Sequence, residues 1–446
     1  MATDTGKLLG ERAIVIGAGM GGMMAAGVLA KFFAEVVVLD KDKLPASPEV
    51  RNGAPQGTQA HVLLGGGARN AEHIFPGLTS DLIDRGGVPL NWGLNWRTCD
   101  AVGWHPKRDL GIDFVGTTRP FLEHMVRAHL GRLHNVTIRD GATVTGWREG
   151  ADKITITLAG GAEESLDADL VVDSSGRSGQ ALEMLEANGY GPVEEVVIGT
   201  GVSYSSAIYE PPAGWPNPMA GCAIFCDAPS SHVGFLLPVE GNLWVVALVG
   251  RFEQAPQKDP AGFMAFTKNL PDPYIYDRIS SAKQLDPIKT FRPHLSKFRR
   301  YDRLSRSPER LLPLGDAISQ FNPMFGQGMS VASAHAMCLR DVLAARGQND
   351  GGLNGVAKEY LQKSCAISEE VWLGLDPLEF SFSTTTGARP EGIEEQLAFG
   401  LGLRKLIEED AEVHRLMMQV THLLEPASVL MREDIAARVN TIMARG

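Results

Sequence analysis

Six residues near the start of the chain have the types and spacing that hold phosphate. Gly17-Ala18-Gly19-Met20-Gly21-Gly22 follows a short β-branched run at 12–16, and an alanine-rich stretch at 23–33 comes after it. A second β-branched run at 35–39 ends at Asp40, with Lys41 beside it. Glycine at 17 permits a tight turn, and glycine at 19 lets backbone approach a pyrophosphate. Glycine at 22 lets a helix pack closely on the preceding strand. Unpaired amides at that helix N-terminus, around Met20, offer partial positive charge to the same phosphates. Asp40, 23 positions after Gly17, can accept the hydroxyls of an adenosine ribose. The pattern predicts strand, glycine turn, helix, strand and acid, which is a dinucleotide site. It leaves open which dinucleotide.

A second constellation lies far along the chain. Leu311-Leu312-Pro313-Leu314 runs into Gly315-Asp316-Ala317, then Phe321-Asn322-Pro323-Met324-Phe325-Gly326-Gln327-Gly328-Met329. A helix is predicted over about 330–345. An acid just past a strand can hold a polyol hydroxyl. Glycines at 326 and 328 let backbone amides meet the carbonyl edge of a flat ring, and a helix starting there stabilises negative charge on that ring.

Together the two constellations resemble FAD-dependent monooxygenases of the aromatic-hydroxylase fold. In that family a first glycine motif holds the ADP part, a late Gly-Asp holds the ribityl chain, and a Pro-x-x-Gly-x-Gly-Met segment lies beside the isoalloxazine. Three stretches are similar to the bacterial flavin epoxidases that act on polyether polyketides such as lasalocid and monensin. Arg51-Asn52-Gly53-Ala54-Pro55-Gln56 with Gln59-Ala60-His61 resembles their Arg-x-Gly-x-Pro-Gln…His-x-His segment, with Gln59 where the first His would stand. Asp173-Ser174-Ser175-Gly176-Arg177 resembles their Asp-Thr-Thr-Gly-Arg. The segment 315–330 follows their Gly-Asp-Ala…Phe-Asn-Pro…Gly-x-Gly-Met-Ser.

The resemblance implies FAD, held by residues of both glycine motifs and by Lys41, Arg51, Gln56 and Arg119, with Val144 beside the adenine. It also implies transfer of one oxygen atom from O2, through a flavin C4a-hydroperoxide, to an alkene or an electron-rich ring of a largely apolar small molecule in secondary metabolism. Aromatic hydroxylases of this fold carry an Asp-Gly motif linked to both FAD and NADPH. Asp173 to Arg177 replace it here, so NADPH or NADH could deliver electrons directly or through a separate flavin reductase. The cofactor carries the hard chemistry, so no protein nucleophile or metal is expected. His61 is the one candidate for a proton relay, by its titration range, with a structural histidine as the alternative. The rival activities are reduction of prenyl double bonds, which needs no oxygen, and a non-catalytic prenyl-binding carrier, which would be colourless. Flavin halogenases carry Trp-x-Trp-x-Ile-Pro. Trp92 and Trp96 are four apart and followed by Arg97, so that signature is absent.

These residues need a scaffold of α/β (α+β) class: a Rossmann-like FAD domain interleaved with a mostly antiparallel sheet for substrate, plus a C-terminal helical tail. The expected boundaries are 1–80, 107–185 and 290–350 for FAD, 81–106 and 186–289 for the substrate sheet, and 351–446 for the tail. Alternating runs at 196–209, 222–227, 233–238 and 243–249, split by turn signals such as Glu240-Gly241-Asn242, predict the sheet. Phe225, Leu236, Trp244, Phe321, Met324 and Phe325 are the candidate cavity walls, and an irregular insert bearing Trp92 and Trp96 is the candidate cap. Helical spacing at 392–409 and 411–424, after a turn-rich break at 381–392, predicts helices packing on the FAD domain or a second subunit. Oligomeric state stays open.

Composition narrows the partners. A net charge of −11 over 446 residues argues against nucleic acid, whose phosphates demand a basic surface. No polybasic patch suggests a lipid surface. The apolar stretch 13–33 is interrupted by five glycines, and no unbroken run reaches the ~18 residues that cross a bilayer. Five scattered cysteines suit a reducing cytoplasm. Cys222 and Cys226 read as core residues on one face of a strand.

Overall fold

The computed structural model describes residues 8–159, 164–217, 219–349 and 351–445. Strand Gly10–Ile16 enters a turn at Gly17 (φ +98°), and helix Met20–Leu29 and strand Phe33–Asp40 follow. The helix begins earlier than its alanine run because Gly21 and Gly22 form its first turn. It stops short of Phe33 because that residue opens the next strand. Almost every helical residue is buried, so this is a core helix without a polar face. A side chain at 22 would overlap the Gly17 carbonyl oxygen. That close approach is what requires glycine there.

Among the described residues, five parallel strands form the first sheet, in the order Leu311–Pro313, Leu170–Asp173, Gly10–Ile16, Phe33–Asp40, Val136–Asp140. The register aligns Ile16 with both Asp173 and Leu39, and Asp173 with Pro313. Both glycine turns therefore leave the same C-terminal edge, where open α/β sheets bind ligands. Residues some 300 positions apart in the chain are brought together by this alignment of strand ends.

The second sheet is built on the ladder between Val202–Glu210 and Leu243–Arg251, and continues through Val233–Val239 and Gly221–Ile224 to Trp96–Asp100. Only the last pairing of these is parallel. The apolar run 196–209 is split into two strands by Thr200 and Gly201 (φ +60°), and its first part, Glu195–Gly199, pairs with Leu295–Arg299 in a separate small sheet. One face of the main sheet packs against helices Pro260–Thr267 and Tyr274–Ile279, burying Cys222, Leu236, Trp244, Phe263 and Ile275. Leu236 and Trp244, expected as cavity walls, thus lie on the far face. Their neighbours Phe235, Leu237, Ala247 and Val249 face the cavity. Cys222 is buried with them. Cys226 lies beyond the strand end, half-buried at the cavity.

The tail forms helices Val356–Phe380, Ile393–Leu406, Ala411–Thr421 and Glu433–Met443. The first packs along helix Gln327–Gln348. The next two close the open face of the main sheet and also touch the first domain at Gly65 and Gly66. They are tied down at three points. Arg404 makes two 2.8 Å bonds to Asp227. Arg108 donates to the Ile407 carbonyl and, at 2.6 Å, to the Glu408 carbonyl. Gly65 N donates to His422 Nδ1 at 3.0 Å and Gly66 N to the His422 carbonyl at 2.8 Å. A side chain at 66 would overlap the Leu423 carbonyl, so this glycine cluster serves the protein's own backbone. Among the described residues no helix is long and apolar enough to cross a membrane, and no His/Cys/Asp/Glu group is arranged to hold a metal.

Candidate active site

Both glycine turns border one cleft of about 530 Å³. Gly17, Gly19, Met20, Asp40, Lys41 and Arg51 line it from the first turn and its flanks. Asp316, Pro323, Gly326, Gly328 and Met329 line it from the second, and Gln56, His61, Arg119 and Val144 complete the expected set. Gly22 is the exception. It lies beneath the turn, in the helix packing described above. Ser174, Arg177, Gln180, Glu183, Tyr204 and Phe291 also border the cleft. The motif at 173–177 pointed to the region of the first three, while Tyr204 and Phe291 carried no local signal.

The turns present unfilled donors. Gly19 caps helix Met20–Leu29, and Gly326 caps helix Gln327–Gln348, neither with a side-chain hydrogen bond nor with an acid in the first turn. Their leading amides and the positive ends of their dipoles are available to anionic or carbonyl oxygen. Asp40 braces the first turn as well as bordering the cleft: Oδ2 accepts from Ala18 N at 2.6 Å and Oδ1 from Asp42 N at 2.9 Å.

Two arginines are held rigid beside these donors. Arg51 reaches Asp42 at 3.2 Å, Asp40 at 3.4 Å and Glu123 at 3.2 Å. Arg119 starts helix Arg119–Leu130, with proline in its first turn, and meets Glu123 one turn on through Nη2 at 2.7 Å and Nε at 2.9 Å. Burial alone would raise the Glu123 pKa, but the two guanidinium groups outweigh it and hold the carboxyl below its usual range. With three carboxylates fixing them, the arginines have little rotamer freedom left to lose when an anion arrives.

Asp316 borders the cleft with Arg177 Nε 3.9 Å away, and Arg177 also lies 5.4 Å from the Phe291 ring centre. Burial raises the Asp316 pKa, against the pull of Arg177, Arg119 and Arg299. Gly315 N, just before Asp316, donates to His335 Nδ1 at 3.2 Å, and His335 Nε2 meets Ser368 Oγ at 3.1 Å. Burial pulls His335 down to about 4, so the ring is neutral at pH 7. His61 is likewise drawn to about 4, by burial and then by Arg119, and its Nδ1 donates to the Gln59 carbonyl at 2.9 Å. It is therefore not a cationic proton donor near neutrality. Gln59, standing where the resemblance has histidine, accepts from Ser206 Oγ at 2.6 Å.

A second cavity, of about 1010 Å³, adjoins the cleft. Ala60, Val62, Tyr204, Pro323 and Gly326 border both. Phe225, Met324 and Phe325 line it as expected, whereas Phe321 borders the cofactor cleft instead. Trp92 and Trp96, with ring centres 5.4 Å apart, belong to its wall, and the tail helices form the roof in place of the expected cap. The remaining walls are mostly aliphatic side chains of the main sheet.

No family model matches the chain. It is 32% identical over 384 residues to Protein Rv3254 of Mycobacterium tuberculosis (strain ATCC 25618 / H37Rv), a match that covers 81% of this chain and 79% of that one. Among solved structures it is similar to the flavin-dependent brominase Bmp2, with a TM-score of 0.69, 14% identity, and coverage of 98% and 99% of the two chains. The p-nitrophenol 4-monooxygenase PnpA from Pseudomonas putida DLL-E4 gives 0.63, 18%, 94% and 100%. PqsL, a probable FAD-dependent monooxygenase from Pseudomonas aeruginosa, gives 0.61, 15%, 92% and 98%. The mixed α/β architecture is the fold of these flavoenzymes.

Proposed function

This chain belongs to the family of Protein Rv3254, and we propose that it is a flavin-dependent monooxygenase that binds FAD and oxygenates a largely apolar small molecule. One observation carries the reading: two distant glycine turns border a single cleft that shares a wall with a larger, mostly apolar cavity. The donor set suits the cofactor at both ends. Arg51, the amides around Gly19 and Asp40 suit a pyrophosphate and its ribose, with Val144 toward the adenine. Arg119 and Asp316 suit the ribityl chain, and the amides after Gly326 suit a ring carbonyl.

Bound and reduced, the flavin would supply oxygen transfer from O2. The protein's own part is position and dryness. Pro323 and Gly326, on the shared wall, would set the substrate against the ring, and the roof helices would keep water out. His61, neutral at pH 7, would accept a hydrogen bond at the edge of the cleft. Epoxidation of an alkene, in secondary metabolism, is favoured over hydroxylation by the three stretches that resemble polyether epoxidases. Electrons would come from NADPH or NADH, directly or through a flavin reductase, in the cytoplasm.

The test is purification, a visible spectrum, and oxidation of NADPH or reduced flavin followed across polyenes and phenols with and without oxygen. A yellow protein whose product gains one oxygen atom supports the proposal. A colourless protein that takes up no FAD would favour a carrier, and turnover undiminished without oxygen would favour a reductase. Either result rules the monooxygenase out.

A further inference from the structure

One end of the cavity carries a cluster of polar side chains. Strand Trp96–Asp100 alternates its side chains, so Trp96, Thr98 and Asp100 face the cavity while Cys99 joins the core behind the sheet. His105, Asp227 and Arg404 complete that end, and none of these six borders the cofactor cleft. Trp96 is 2% exposed, His105 6% and Thr98 8%, yet the Trp96 indole N–H, the Thr98 hydroxyl and His105 Nδ1 have no hydrogen-bond partner among the described residues. A buried polar group left unmade costs roughly 1–3 kcal/mol. Three within one wall point to a ligand that supplies the missing partners.

The polarity of that end selects the ligand group. Asp100 Oδ2 accepts from His105 Nε2 at 3.0 Å, and the other ring nitrogen, Nδ1, faces no protein partner among the described residues. Burial would raise the Asp100 pKa, but the bonds from His105 and the Val102 amide, with Arg404 3.9 Å away, keep it below the ordinary range. Two carboxylates face one guanidinium, that of Arg404, which Asp227 already holds through two bonds. Acceptors are in excess, and a further negative charge is disfavoured.

We propose that Thr98, Asp100 and His105 form an anchoring subsite for a hydroxyl or ammonium group at the end of the substrate remote from the cofactor, and that this subsite turns carboxylates away. The proposal rests on the monooxygenase reading only for which end of the substrate is oxidised. Its test is independent of turnover. Trp92 and Trp96 stand in the wall, so tryptophan fluorescence of the purified protein reports binding of 1-decanol, decylammonium, methyl decyl ether and decanoate. The alcohol and the ammonium should bind at least about tenfold more tightly than the ether and the carboxylate. Thr98→Val, which keeps the side-chain shape, and Asp100→Asn should each bring the alcohol and the ether within about twofold. The proposal is overturned if the ether or decanoate matches decanol, if decanol does not bind, or if the preference survives both substitutions. A colourless protein that still prefers decanol would defeat the flavoenzyme reading and leave the subsite standing.

Discussion

Asn322 Nδ2 donates to Glu379 Oε1 across 2.8 Å, joining the loop between cleft and cavity to the end of helix Val356–Phe380. Asn322 Oδ1 accepts from Met324 N at 3.1 Å, and the other Glu379 oxygen takes the Arg251 guanidinium, which also lies 4.3 Å from the Phe382 ring centre. A carboxylate only 4% exposed thus sets the position of the segment nearest the expected flavin ring. Glu379→Gln leaves Arg251 buried and uncompensated, and should cost roughly 3–5 kcal/mol. Asn322→Ala keeps the ion pair and should cost roughly 1–3 kcal/mol. Denaturant unfolding of the two variants checks the order, and reversal of it would show that the loop does not depend on this carboxylate as described.

Gly22→Ala places a methyl group onto the Gly17 carbonyl oxygen. Backbone must shift on one side of the turn, at a cost of roughly 1–3 kcal/mol, and the first glycine turn loses its shape. The variant should retain markedly less FAD than the parent after gel filtration. Equal flavin content by absorbance would mean that the turn tolerates the displacement.

The two faces of the main sheet make opposite demands. Trp244→Ala empties space in the core under helices Pro260–Thr267 and Tyr274–Ile279 and should destabilise by roughly 3–5 kcal/mol. Its effect on the relative rates with different substrates should be small. Phe235→Ala, on the cavity face, should widen the range of substrates accepted. Paired thermal melts and KM values across one substrate panel separate the two. If Trp244→Ala reorders substrate preference as strongly as Phe235→Ala, the assignment of faces fails.

Stability against pH should carry two signatures of opposite sign. His335, fully buried, has its pKa lowered to about 4 by burial, so its contribution is full above about 6.5 and is lost as pH falls through about 4. Protonation would also break the bond that Nδ1 accepts from Gly315 N, next to Asp316. Asp376 is raised to about 6, by burial and then by Glu379, so its contribution is full below about 4 and is lost as pH rises through about 6. Asp376→Asn should therefore gain roughly 2–3 kcal/mol over the parent at pH 8 and almost nothing at pH 4. Denaturation curves at the two pH values measure it. An equal gain at both would rule out the titration.

The parts of the molecule legible in the sequence were those where local geometry dictates residue type. Gly17, Gly19 and Asp316 could be read because a turn, a close approach and a strand end each demand a particular side chain. The faces of the main sheet could not be read in the same way. Strand Val233–Val239 is buried on both sides in all but one residue, so it shows no polar alternation to say which side chains meet the cavity. That is why Leu236 was expected where Phe235 and Leu237 stand. The tail helices announced an apolar stripe but not its destination, which depends on anchors as distant in the chain as Gly66 and Asp227. Tyr204 reaches the shared wall only through the fold of strand Val202–Glu210.

The roof and the cofactor cleft are lined by separate parts of the chain, for among the described residues none beyond Ala332 borders the cleft. Descendants of one ancestral gene could therefore vary the tail side chains that face the cavity, and with them the molecules admitted, while Glu379 and His422 keep the cofactor side in place. Diversification of chemistry by point changes along the cavity-facing side of the tail helices is the evolutionary route this division of labour opens.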